Sequence, residues 1–210
     1  MEIKKLSKEE YYMNIAREVA RKSKCYRRMM GAIIVRDDQI ISAGYVGAVR
    51  KAKDCYEHGF CLRTRLGIPH GQRYELCRSV HAEQNAIINA ARSGVSLLSG
   101  DIYLYAEDEE GKVIDALPCF ICKKIVINSG LSRMICSTAD GKFRVFEVGT
   151  WVHDWQIRDI IEDKEQYGQG QKIVRESDLD KVSAKLNRQN NQNKKPNIYE
   201  NQETNRGFDR

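Results

Sequence analysis

Two short motifs hold the residues best suited to chemistry in this 210-residue chain: His81-Ala82-Glu83 and Pro118-Cys119-Phe120-Ile121-Cys122. A Cys-x-x-Cys pair at the start of a helix lets two thiolates converge on one metal ion, and the positive end of the helix favours their charge. His81 supplies a third donor. Three protein ligands leave the fourth tetrahedral position of a zinc ion open, which suits a zinc that acts on a substrate. Glu83, two residues after the histidine, reaches water at that position without binding the metal, and a carboxylate there can carry protons. Either motif alone is weak, since His-Ala-Glu can be plain helix surface and Cys-x-x-Cys can be redox-active or structural. The alternative to a catalytic zinc is a structural zinc clip in a binding module.

The elements that must position these residues follow from local pattern. Ser7 and Glu10 form a capping box that opens a helix, with Tyr12, Ile15, Ala16, Val19 and Ala20 on its apolar face. Strands follow at residues 31–35 and 39–45, and Asp37-Asp38 suits a tight hairpin between them. Residues 50–78 are an irregular cysteine-rich loop. A helix runs from Ser79 to Gly94, a strand covers 101–105, and 107–117 is a polar insertion turning near Glu110-Gly111. Pro118 stands at the first position of a second helix that ends before Gly130, following the usual Pro-first, Gly-after asymmetry. Strands at 133–136 and 143–148 and a helix at 151–164 complete the order. Helices of this length crossing between strands predict an α/β sheet with helices on its faces, parallel where they cross.

His-x-Glu with Pro-Cys-x-x-Cys is also the signature of zinc-dependent nucleobase deamination. Ser23-Lys24-Cys25, Gly31-Ala32-Ile33-Ile34-Val35, Gly44-Tyr45, Cys77-Arg78 and His81-Ala82-Glu83-Gln84-Asn85-Ala86-Ile87 resemble the deoxycytidylate (dCMP) deaminase family of the cytidine deaminase fold. The likeness covers roughly residues 8–150. It implies a three-layer fold, a five-stranded mixed sheet with helices on both faces, and commonly a hexamer. It also implies zinc-dependent hydrolytic deamination, dCMP to dUMP with release of ammonia. His81, Cys119 and Cys122 would hold the zinc, Glu83 would shuttle protons, and the peptide N–H of Cys119 or Ala82 would steady the base. Alternatives are a deaminase of another nucleoside, a modified nucleotide or a polynucleotide base, and a non-catalytic zinc-stabilised module.

The resemblance further implies a second, structural zinc. Cys25, Cys55, Cys61 and Cys77 can supply a closed four-cysteine site, with His58 able to replace one of them; the alternative is a set of buried thiols. Cys136 reads as a core residue. Arg27 matches an arginine that resembles a phosphate ligand in relatives, and Lys123 and Lys124 are weaker candidates for that role. Two positions depart from the family pattern. Val46 stands where an Asn usually follows Gly-Tyr, so a hydrogen-bonding contact to the nucleotide is lost. The acidic 107–117 segment replaces a short Thr-containing link.

Composition bounds the rest. The longest stretch free of Asp, Glu, Lys and Arg is the eleven residues 39–49, too short for the roughly 20 apolar residues of a membrane span. The charged start has no apolar signal region, so a cytoplasmic location is expected, where thiols stay reduced. Half of the +6 net charge falls in residues 171–210, which argues against nucleic acid as a partner of the core; the small nucleotide partner is what the resemblance implies. Residues 1–165 read as the deaminase domain with the cysteine-rich loop inserted. Residues 166–210 read as a disordered tail rich in Asn, Gln and Lys.

Overall fold

The structure, a computed structural model, describes residues 5–157. The expectations for residues 158–165 and for the 166–210 tail lie outside the described residues.

The first helix, α1 (Lys8–Ala20), opens with the capping box. Glu10 N–H donates to Ser7 Oγ at 3.2 Å, and Ser7 N–H donates to Glu10 Oε2 at 2.8 Å. Strands β1 (Met29–Arg36) and β2 (Gln39–Tyr45) pair antiparallel, Arg36 opposite Gln39. Asp37 and Asp38 between them adopt φ of 50° and 61°, the two left-handed positions that a two-residue turn needs to match strand twist. β5 (Asp101–Glu107) lies on the other side of β1, also antiparallel to it, so β2 and β5 run parallel to each other. β6 (Arg133–Ser137) pairs parallel with β5, and β7 (Phe143–Glu147) antiparallel with β6. The sheet order is β2-β1-β5-β6-β7.

Strand alternation sorts the core into two layers. Ala32, Ile34, Ile102, Leu104, Ala106, Met134 and Cys136 face one side, toward α4 (Ala82–Arg92), α5 (Phe120–Asn128) and α6 (Val148–Ile157). Ile33, Val35, Tyr103, Tyr105 and Ile135 face the other, toward Tyr12, Met13, Ala16 and Ala20 of α1. The expected five-stranded mixed sheet with helices on both faces is therefore present, and Cys136 is a core residue.

Two glycines set the spacing of the layers. A Cβ on Gly31 would lie 2.8 Å from Ala20 Cα, and one on Gly44 would lie 2.6 Å from Ala82 O, with backbone nitrogens closer still. α1 and α4 thus rest directly on the hairpin, one on each face, and α4 carries His81 at its start.

Four differences from the pattern-based expectations have local causes. Residues 47–48 and 79–80 form a two-stranded ladder, β3 (Gly47–Ala48) with β4 (Ser79–Val80), too short to leave a periodic signal. It ties together the two ends of the cysteine-rich segment. That segment is not wholly irregular: it holds α2 (Cys55–His58), α3 (Leu62–Arg65) and a 3₁₀ turn at Tyr74–Leu76. Pro118 precedes the cap of α5 rather than occupying its first turn, because Cys119 itself takes the cap position. α6 starts at Val148, three residues before the expected Trp151, where β7 hands directly into it.

Candidate metal centre

His81 and Cys119 occupy equivalent places, the residue just before the first turn of α4 and of α5. Both have extended backbones, φ −70°, ψ 157° and φ −70°, ψ 166°. An extended residue in that place throws its side chain beyond the helix end, toward the unpaired N–H groups and positive pole. His81 N–H donates to Gln84 Oε1 at 3.2 Å, which fixes the start of α4. Cys122 lies on the first turn of α5, on the same side as Cys119.

The result is a compact donor set. His81 Nδ1 lies 3.4 Å from Cys119 Sγ and 3.3 Å from Cys122 Sγ. A tetrahedral zinc with Zn–S of about 2.3 Å and Zn–N of about 2.0–2.1 Å has S···N edges of roughly 3.6 Å, so the three atoms fit the ion with a displacement of a few tenths of an ångström. Among the described residues, these three are the one group of at least three His, Cys, Asp or Glu side chains whose ligand atoms all lie within 4.8 Å of one another.

The electrostatics of the three are coupled. The hydrogen bond from the Cys122 thiol, helped by His81, holds Cys119 well below the usual thiol range. The same bond, together with burial, pushes Cys122 up. Burial alone would lower His81, but its hydrogen bond with Cys119 and the charge of Glu83 outweigh that and raise it.

Glu83 lies beside this set, 2 % exposed, with Oε2 buried and without a hydrogen-bond partner. Burial raises its carboxyl above the ordinary value. A buried carboxylate oxygen with nothing to bond is costly unless something else uses it.

His81, Cys119 and Glu83 line a cavity whose walls also include Met30, Val46, Leu117, Arg27, Arg28, Arg63, His70 and Tyr74. Val46 is buried in that wall, so the residue replacing the family's Asn presents methyl groups to the cavity. Arg27 lines it with Nη1 buried and unpartnered. Ala82 is fully buried, and the 107–117 segment reaches the cavity through Leu117. Lys123 and Lys124 face elsewhere: their ammonium groups sit over the rings of Trp151 and Trp155 of α6, at 5.3 and 5.4 Å, and neither lines the cavity.

Cys25, Cys55, Cys61 and Cys77 all line the same cavity and feel one another's charge, but no three of their sulfurs come within 4.8 Å of each other. His58 is exposed and packs against Phe60, away from the cavity. Arg28, Arg63, His70 and Tyr74 were not singled out from sequence. Arg63, His70 and Tyr74 lie inside an irregular loop and carry no spacing signal; only the loop's path brings them to this cavity.

A mixed sheet whose helices present His-x-Glu and Cys-x-x-Cys at neighbouring N-termini defines a zinc-binding nucleobase-deaminase class. Residues 6–138 match the family model described as the cytidine and deoxycytidylate deaminase zinc-binding region, and the chain belongs to that family. It is 30% identical over 131 residues to a deoxycytidylate deaminase of Schizosaccharomyces pombe, covering 62% of this chain and 37% of that protein. It is 30% identical over 132 residues to the deoxycytidylate deaminase of Mycobacterium phage D29, covering 60% of this chain and 91% of that one. The chain therefore spans little more than a third of the yeast relative. Among solved structures, cytidine deaminase from Burkholderia pseudomallei matches with a TM-score of 0.47 at 16% identity, over 69% of this chain and 95% of that one. A cyanophage S-TIM5 dCMP deaminase solved with dCMP and dUMP matches with a TM-score of 0.43 at 22% identity, over 61% and 80%. Among the described residues, no helix is long and apolar enough to cross a membrane.

Proposed function

We propose that this chain is a zinc-dependent hydrolase that deaminates the cytosine of a small nucleotide, dCMP to dUMP, with release of ammonia. The observation that carries the reading is Glu83: a buried carboxylate with an unpartnered oxygen, beside three metal donors, lining a cavity. A structural zinc clip has no use for that group.

His81, Cys119 and Cys122 would hold the zinc, which when bound supplies Lewis acidity that brings the pKa of water toward neutrality. Glu83 takes a proton from the attacking water and delivers it to ring N3 as oxygen adds at C4. Glu83 next takes the proton of the new C4 hydroxyl and passes it to the exocyclic amino group; the C4–N bond breaks as the C4 carbonyl forms, and ammonia leaves. Burial raises the carboxyl above its ordinary value, which makes its carboxylate the stronger base toward the water proton. The peptide N–H of Cys119 or of Ala82, at the helix starts, steadies the base. Arg27, whose Nη1 is unpaired, takes the phosphate, and the neighbouring Arg28 and Arg63 add positive charge there. A preference for the monophosphate over the free nucleoside follows.

The reading extends to a second, closed zinc on Cys25, Cys55, Cys61 and Cys77, supported by four thiols facing one cavity, and to a homo-oligomer working in the cytoplasm on a free nucleotide. Metal analysis tests the second site: two zinc per chain supports it, one removes it.

The test of the activity is Glu83→Gln. Ammonia release from dCMP should fall at least 10³-fold with zinc content unchanged, the scale expected for loss of a proton shuttle (about 10²–10⁴). Retained turnover would sink the role of Glu83, and equal turnover of cytidine and dCMP would sink the phosphate assignment.

A further inference from the structure

The backbone at His81 fixes where its Cβ points, but not the plane of the imidazole. Rotation about the Cβ–ring bond is soft and roughly two-fold, and a metal ligand must hold that plane. The group packed on the ring is Tyr74. The two rings meet edge to face, centroids 4.7 Å apart and planes at 85°. Tyr74 is held in turn. It sits in the 3₁₀ turn Tyr74–Leu76, closed by Leu76 N–H to Arg73 O at 3.1 Å and Cys77 N–H to Tyr74 O at 2.9 Å. Arg63 lies with its guanidinium carbon 4.5 Å from the Tyr74 ring centroid. Arg63 is 5 % exposed, and its Nη2 donates to the carbonyls of Pro69, at 3.2 Å, and Gln72, so loop backbone fixes its plane.

Resting on the reading of His81, Cys119 and Cys122 as a zinc site, we infer that Arg63 and Tyr74 are positioning residues: a stacked guanidinium and phenol that lock the imidazole plane of His81 for the metal. The device comes from the cysteine-rich segment, not from the sheet and helices that carry the ligands. The chain uses a cation–π pair because an apolar contact alone would leave Tyr74 free to slide. Arg63 holds it electrostatically while its Nη2 donates to two loop carbonyls. Hydrogen-bonding partners of metal-bound histidines typically change metal affinity by about 10–100-fold, and a packing partner that sets the same ring plane is expected to act on that scale.

The experiment measures zinc transfer from the full-length, zinc-loaded protein to a chromophoric chelator, and the visible spectrum of the cobalt-substituted form. Cys122→Ser identifies the signal of the His81 site against any other bound metal. Tyr74→Leu is expected to lose zinc to the chelator at 10–100-fold lower competing concentration and to shift the cobalt bands. Tyr74→Phe, which keeps the ring, is expected to stay within twofold of the parent, and Arg63→Met to fall between. Tyr74→Leu within twofold of the parent overturns the inference. Should Tyr74→Leu not fold, Arg63→Met carries the test by the same twofold limit. An Arg63→Met variant with unchanged zinc retention but a raised KM for dCMP alone makes Arg63 a phosphate ligand and overturns its positioning role. If the parent shows no metal signal sensitive to Cys122→Ser, it is the zinc-site reading that fails, and the two failures are distinct.

Discussion

Replacing Gly44 by alanine tests whether the hairpin sets the height of the helix that carries His81. Gly44 has an ordinary negative φ, so alanine meets no conformational objection; the objection is space. The added Cβ would stand 2.6 Å from Ala82 O, while ordinary contact begins near 3.4 Å, so α4 must rise by about 0.8 Å or more at its first turn. Overpacking of this kind costs about 1–3 kcal/mol, which for a protein of this size is roughly 2–12 °C of thermal midpoint. Ala82 is the residue between His81 and Glu83, so the same rise moves both donors relative to Cys119 and Cys122 on α5. A misplacement of about 1 Å can cost about 10²-fold in rate. Gly31→Ala is the control. Its Cβ overlaps the backbone of α1 as severely, but α1 holds no proposed site residue. The assay is thermal midpoint, zinc content and ammonia release from dCMP per folded molecule. Both variants should be destabilised to a similar extent, and Gly44→Ala alone should lose activity and zinc retention. Equal activity per folded molecule in the two variants would refute the idea that this contact places the site.

Cys122→Ser should lose the His81 zinc and, since the donors then lack their cation, lower the thermal midpoint more than it lowers that of chelator-stripped parent; metal analysis and melting check it. Arg27→Leu should raise KM for dCMP by about tenfold or more, the scale of one lost charged hydrogen bond at about 1.5–3 kcal/mol, while leaving turnover of cytidine as it was; steady-state kinetics on both substrates decide it. Tyr12, Tyr103 and Tyr105 are all buried, and burial above all pushes each up to about 12, with Asp38 and Glu107 adding to the shift at Tyr12 and Tyr105. The unfolded chain loses those protons near pH 10, so stability is fully present below that and falls as pH rises from about 10 to about 12. Denaturant midpoints across that window should drop, and Tyr12→Phe should make the drop shallower.

Much of the architecture was legible because it is written in local periodicity. The capping box at Ser7, the alternation in residues 31–35 and the Asp-Asp turn each fix their own element with neighbours a few residues away. The metal donors were legible for the same reason, since Cys119 and Cys122 share one turn and His81 and Glu83 another. The missing parts depend on long-range closure. The ladder at 47–48 and 79–80 has only two residues a side, and neither side has a pattern until the other is beside it. Arg63 and Tyr74 meet His81 only because the loop folds back, and no spacing announces that. Lys123 looked available for phosphate beside Cys122, but one helical residue further on means a different face, and that face belongs to Trp151 of α6.

The β3–β4 ladder joins the two ends of the 49–78 segment within a few ångströms of His81. A segment closed at its base in this way behaves as a removable module. Its length can change at small entropic cost, about 0.6 kcal/mol for each doubling, without altering the spacing between the hairpin and α4. On the proposed reading, the metal donors and much of the cavity wall are therefore carried by parts that can vary separately. Lengthening or replacing the segment between its two anchors offers a route to a new specificity on an unchanged reaction centre, provided that a ring is kept against His81.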